Sequence, residues 1–242
     1  MVSSSPDAGP LSILFEDEHL LAVSKPAGLL TQGAPGRGPT LEDAVRAHLS
    51  PDAPRSVYLG TVHRLDRPVS GVIVWAKNRR AARRLAREFE TRRASKEYWA
   101  IVECPAGTPA GEGRWEDWLS PHSNAAGVVD VLDPDATGAR RAVTRWRSGS
   151  PPIDRATSLA WLRLWPETGR THQLRAQCAF HGMPIVGDAP YRATTPFPQG
   201  IALHARALSV RHPTLGHTLE LIAPVPEEWN AWGLEGDGPT RS

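Results

Sequence analysis

The chain has 242 residues, 40% of them hydrophobic and 22% charged, the proportions of a globular protein able to bury a sizeable core. No apolar run approaches the roughly 18 residues that a membrane span needs. The N-terminal MVSSSPDAGP lacks the basic start and apolar centre of a secretory signal. Two cysteines, Cys104 and Cys178, make no disulfide framework, so a reducing cytoplasm is the expected location. With 28 basic against 26 acidic residues the net charge is only +2, which by itself announces no polyanionic partner.

In chain order, residues 1–10 and 235–242 are small and polar and are expected to form flexible tails around a single domain at 11–234. Residues 13–15 and 20–23 read as short strands around the acidic turn EDEH. Residues 31–39, rich in glycine and proline, read as a loop. Thr40 then reads as an N-cap, with Asp43 three residues on, of a helix running through Leu49 and closed by Ser50-Pro51. Residues 72–76 are a β-branched run typical of a buried strand. From Asn78 to about Arg92 the spacing predicts an amphipathic helix, with Ala82, Leu85 and Phe89 on one stripe. Residues 79–96 carry eight basic side chains against Glu88 and Glu90, which suits either a solvated helix face or contact with phosphates.

Strands are expected at 98–102, 158–165, 201–210 and 218–222, and a helix at 171–181 capped by Gly182. Residues 104–136, acidic and turn-rich, read as an insertion or flap. Strands and helices alternate without regular βαβ spacing, which predicts an α+β fold.

Chemistry concentrates in VHRLDRPVSGVIVWAK. Arg67 precedes Pro68, which disfavours helical geometry, so Asp66 is expected in an extended loop ahead of a rigid strand. The flanking Arg64 and Arg67 favour an ionised, nucleophilic carboxylate. From spacing alone, such an aspartate reads as a turn-forming or salt-bridged residue.

The wider pattern is more specific. HRLDRPVSG resembles the second motif of the RluA-type pseudouridine synthases, SKPAGLL the first, KEYWAIV the strand bearing that family's tyrosine, and ETGRTHQLRAQCAFHGMPIVGDAPY the third. The four occur in the family's order. The resemblance implies a mixed, largely antiparallel sheet split around a central active-site cleft with flanking helices. It also implies an enzyme that isomerises uridine to pseudouridine in ribosomal or transfer RNA with neither metal nor organic cofactor. On the same ground Asp66 is the expected nucleophile, Arg175 its basic partner, and Tyr98 the aromatic that packs on the base. Arg64 would fill the space left by the flipped uridine, since extrusion costs a few kcal/mol of stacking. Leu174 would shape the pocket, Arg170 would meet phosphate, and His63, His172 and Gln173 complete the expected substrate-binding set. Val69, Gln177 and Gln32 depart from the family's usual Thr, His and His. No separate N-terminal RNA-binding domain and no membrane contact are expected, and the chain is expected to act as a monomer.

Two other readings are open at this level. One is an RNA-binding module of the same fold without turnover. The other is a metal-dependent nuclease built on His63 and Asp66, although the histidines show no HExxH or Cys/His ligand spacing.

Overall fold

Strand β4 (Ser70–Ala76) buries all seven of its residues, as its run of β-branched side chains requires. It lies in the first of two compact units of a computed structural model that describes residues 11–33, 38–104, 111–149 and 158–232. The tails expected at 1–10 and 235–242 lie outside the described residues. The first unit comprises residues 1–95 and 207–224, the second residues 96–206 and 225–242.

In the first unit, β1 (Ser12–Glu16) pairs antiparallel with β2 (Leu20–Lys25), and β2 with β4, the register setting Lys25 opposite Gly71. The short β3 (Gly60–Thr61) adds to β4, and the end of β10 (Leu203–Arg211) pairs with β11 (Thr218–Ile222). Helix α1 (Leu41–Leu49) starts where the sequence predicts. Thr40 accepts the Asp43 N–H, and the Asp43 carboxylate accepts the Thr40 N–H at 3.0 Å, a reciprocal cap. Its Leu41 and Val45 enter a cluster with Leu21, Val23, Leu59, Ile73 and Trp75. Burial of each such aliphatic side chain contributes about 1.5–3 kcal/mol, far more than helix propensity does. Helix α2 (Arg79–Glu90) is capped by Asn78 and packs against β4 and β3.

In the second unit the antiparallel order is β5 (Ser95–Glu103), β9 (Leu159–Pro166), β8 (Arg140–Ser148), β6 (Glu112–Leu119) and β7 (Val131–Leu132). Helix α3 (Gln173–Phe180) packs on β6 and β7 around Leu119, Val129, Ala142, Ala176 and Tyr191. It ends on Gly182 in the left-handed region. Gly182 N–H donates to the Ala179 carbonyl and Met183 N–H to that of Cys178.

The α+β class and the antiparallel pairing agree with expectation. The reading of residues 104–136 as a flap needs correction, because β6 lies within it and pairs with β8 from Glu112↔Arg147 to Leu119↔Arg140. Both strands put charge on their outward face. Arg141 meets Glu116 at 2.6 Å and Arg147 meets Glu112 across the ladder. Such cross-strand pairs let a polar sequence form a strand. Among the described residues no helix is long and apolar enough to cross a membrane.

Candidate active site

The stretch from β3 to β4 carries Asp66, half-buried, between exposed Arg64 and Arg67. Its turn is closed by Val69 N–H donating to the Asp66 carbonyl at 3.1 Å. Three further contacts tie this loop to residues 25–31. Thr31 Oγ1 donates to the Leu65 carbonyl at 2.8 Å and accepts the Leu65 N–H at 3.2 Å. Gly28 N–H donates to the Arg67 carbonyl at 2.8 Å, and Arg67 Nε returns a bond to the Gly28 carbonyl at 2.9 Å. Gly28 has φ +84°, a conformation that a side chain at this position would strain.

The third contact is Lys25, fully buried, whose ammonium donates to the carbonyls of Pro26 (2.9 Å), Leu29 (2.8 Å) and Arg67 (3.2 Å). An ammonium has three N–H donors, and all are used. Burial pushes the Lys25 pKa down to about 7, while the negative charge of Asp66 pulls it upward. A cation enclosed by peptide carbonyls beside the Asp66 carboxylate thus fixes the loop and offsets its charge.

His63 lies in the same stretch. Its Nε2 accepts the Val74 N–H at 3.0 Å, and its ring stacks on Phe89 with centroids 4.8 Å apart. These contacts brace the loop against β4 and α2, a role that the resemblance does not assign to it.

In the second unit the GRTHQLR segment is arranged around Gln173, which is buried. Its Oε1 accepts from Thr168 Oγ1 (2.7 Å) and from the Arg170 N–H (3.0 Å), and its Nε2 donates to the Val143 carbonyl and to Thr144 Oγ1, both at 3.0 Å. Gln173 therefore shapes the turn from inside. Arg170 is exposed, with Nε on the Arg141 carbonyl. His172 has φ +50° at the helix N-cap, with Nδ1 3.0 Å from the Tyr191 hydroxyl. Leu174 is buried, and Tyr98 is half-buried on β5 opposite Leu164.

Arg175 is buried with its Nε and Nη2 on the two carboxylate oxygens of Asp188, at 2.7 and 2.8 Å, and its guanidinium over the Tyr191 ring at 4.8 Å. Asp188 is fully enclosed. A bidentate carboxylate on one edge and an aromatic face beneath leave the guanidinium plane little freedom. Gly187, just before it, has φ +85°, and a Cβ there would lie 2.6 Å from Phe197 Cβ. Lys96 is also desolvated, which lowers its pKa, and its Nζ packs over Gly169.

Sequence reasoning missed Lys25, Thr31, Lys96 and Asp188. Lys25, Lys96 and Asp188 stand inside the quoted motifs SKPAGLL, KEYWAIV and ETGRTHQLRAQCAFHGMPIVGDAPY, but only the folded chain shows what they hold. Gln177 departs from the family's usual histidine. It joins Thr144, which donates to its Oε1 at 2.6 Å, to Asp117, which accepts from its Nε2 at 2.7 Å. It is a core connector. Among the described residues, no group of three or more His, Cys, Asp and Glu is placed to hold a metal ion.

A family model described as RNA pseudouridylate synthase matches residues 19–180. The dual-specificity RNA pseudouridine synthase RluA of Escherichia coli is 35% identical over 228 residues, covering 89% of this chain and 93% of its own. The ribosomal large subunit pseudouridine synthase D of Vibrio cholerae is 33% identical over 236 residues, 90% of this chain and 68% of its own. The solved structure of human RNA pseudouridylate synthase domain containing 4 superposes with a TM-score of 0.69 at 25% identity, covering 93% of this chain and 94% of that one. The matched span holds the clamped Asp66 loop and the anchored arginine alike, and on this ground the chain belongs to the RNA pseudouridylate synthases, isomerases that form pseudouridine in RNA.

Proposed function

We propose that this chain isomerises a uridine of ribosomal large-subunit RNA, with Asp66 as nucleophile and Arg175 and Tyr98 serving the same reaction. The observation that carries the reading is the three-way clamp on the Asp66 loop by Lys25, Gly28 and Thr31. A catalytic carboxylate must be held in place while a flipped base is turned beside it, and preorganisation of this kind lowers the barrier. In the reaction the N1–C1′ bond of the uridine breaks, a C5–C1′ bond forms, C5 gives up its proton to solvent and N1 takes one up. Product and substrate are isomers, so the balance needs no redox partner.

In this reading Arg175, held by Asp188 and Tyr191, is the basic residue that the reaction uses. Tyr98 packs on the base, and Arg64, exposed, occupies the gap left in the RNA. Arg170 and His172 meet the backbone, and Leu174 lines the pocket. Residues 11–234 act as one catalytic domain and as a monomer in the cytoplasm. The large-subunit target is taken from the Vibrio relative, whose name states it.

The test is a pseudouridine map of total RNA from cells with the chain, without it, and with Asp66→Asn. One or more uridines should lose modification in the last two. Wild-type modification by the Asp66→Asn protein would remove the assignment of Asp66.

A further inference from the structure

Several arginines on the second unit's sheet are matched by carboxylates: Arg114 and Arg141 meet Glu116, Arg147 meets Glu112, and Arg163 meets Glu97. Helix α2 is different. Five of its 12 residues are arginine (Arg79, Arg80, Arg83, Arg84 and Arg87), all exposed, and none forms an ion pair among the described residues. Arg79 lies over the Tyr58 ring, and Arg84 donates to the Pro213 carbonyl. Arg80, Arg83 and Arg87 recur at the spacing of a single helix face.

This arrangement works against the helix itself. Like charges three and four residues apart repel. The first turn holds two arginines and no acid, although the helix dipole favours acids there. A helix that needed only to seat Ala81 and Leu85 would gain nothing from such a face. Local rules broken without local benefit point to a site.

The position of α2 supplies the rest. Phe89 in its last turn stacks on His63, three residues before Asp66, and the helix packs against the two strands that flank the Asp66 loop. We propose that the arginine face of α2 is a docking surface for backbone phosphates of the RNA strand that flanks the target uridine. The inference rests on the RNA reading above and adds a second, non-catalytic site to it. Arg80 to Arg87 span about 10 Å at 1.5 Å per residue, the reach of three or four phosphates spaced about 3.4 Å along a strand axis. Guanidinium forks match phosphate oxygens. No large apolar side chain of α2 is exposed, so the face lacks the anchor that a membrane surface or a protein interface core would need.

The test uses the Asp66→Asn chain, with and without Arg80→Ala, Arg83→Ala and Arg87→Ala together. The probe is a fluorescein-labelled RNA stem-loop with uridine in its loop. Across a potassium chloride series, the triple change should flatten the slope of log affinity against log salt by about two, near 0.7 per phosphate contact. Affinity at low salt should fall at least tenfold. Lysine at the three positions should keep the slope, and the thermal midpoint of the alanine variant should hold or rise as repulsion is relieved. An unchanged slope overturns the proposal, as does a variant that melts well below its parent. A loss confined to phosphatidylserine vesicles or to polyglutamate also overturns it. If the wild-type chain forms no pseudouridine yet the slope change appears, the catalytic reading fails and the docking surface stands. Pseudouridine formation with an unchanged slope gives the reverse.

Discussion

The Thr31 hydroxyl holds both backbone groups of Leu65, giving its proton to the carbonyl at 2.8 Å and taking the N–H at 3.2 Å, across 34 positions of sequence. Because Leu65 immediately precedes Asp66, this one side chain fixes the peptide from which the carboxylate springs. Both groups are buried, so neither can exchange its partner for water.

Thr31→Val keeps the shape and removes both bonds. The two backbone groups of Leu65 would be left buried and unpaired, at about 1–3 kcal/mol of stability. Thr31→Ser should retain them. Denaturant unfolding of the three proteins checks this, and pseudouridine turnover should fall further in the valine variant than stability alone explains. A valine variant as stable and active as wild type would show that the loop is held by Lys25 and Gly28 alone.

Lys25 makes stability depend on pH in a definite direction. Its pKa is about 7 in the folded chain against an ordinary 10.5. Between those values the unfolded chain carries a proton that the folded chain has released, so stability rises with pH across that window. Relative to Lys25→Met, the parent should gain up to about 1.4 kcal/mol per pH unit from roughly pH 7 to pH 10. Parallel stability curves for the two proteins would mean that the ammonium keeps its proton throughout.

Asp188 should matter as much as the arginine it holds. Asp188→Asn removes the bidentate carboxylate from the buried Arg175 guanidinium, a change that costs about 3–5 kcal/mol for enclosed pairs. Arg175→Lys keeps the charge but not the two-point contact, so turnover should fall well beyond the loss of stability. A lysine variant with normal turnover would reduce the role of Arg175 to charge alone.

Gly187→Ala tests the same anchor through the backbone. The positive φ and the 2.6 Å approach to Phe197 both oppose a methyl group, and Gly200 O lies 3.0 Å away. A loss of about 2–4 kcal/mol is expected, with turnover reduced because Asp188 follows directly. A variant that unfolds like wild type would show that this turn relaxes freely.

Much of the fold can be read locally. The Thr40–Asp43 cap, the helix that follows it, the α2 stripe and the Gly182 stop are all written within a few residues of where they act. Strands β6 and β8 are not, because their arginines and glutamates become strand residues only once paired with each other. The site divides in the same way. Asp66 and its arginines are legible as a motif. The contacts of Thr31 with Leu65, Lys25 with Arg67, and Arg175 with Asp188 depend on tertiary approach that no spacing encodes. His63 is a further case, since its contacts with the Val74 N–H and the Phe89 ring are not announced by its motif.

The enclosure of Lys25 also bears on how this chain uses its cations. Of its 28 basic residues, 25 are arginine, and the three lysines are Lys25, Lys77 and Lys96. Lys25 sits among three carbonyls, Lys77 reaches the Asp17 carbonyl and the Glu16 carboxylate, and Lys96 is folded over a glycine. A compact tetrahedral donor suits each of these places, and a flat fork does not. Lysine in this sequence therefore works as a marker of shape as well as of charge. Amine-reactive labelling would find few targets on the folded chain, and the slowest to react should be the residue that holds the Asp66 loop.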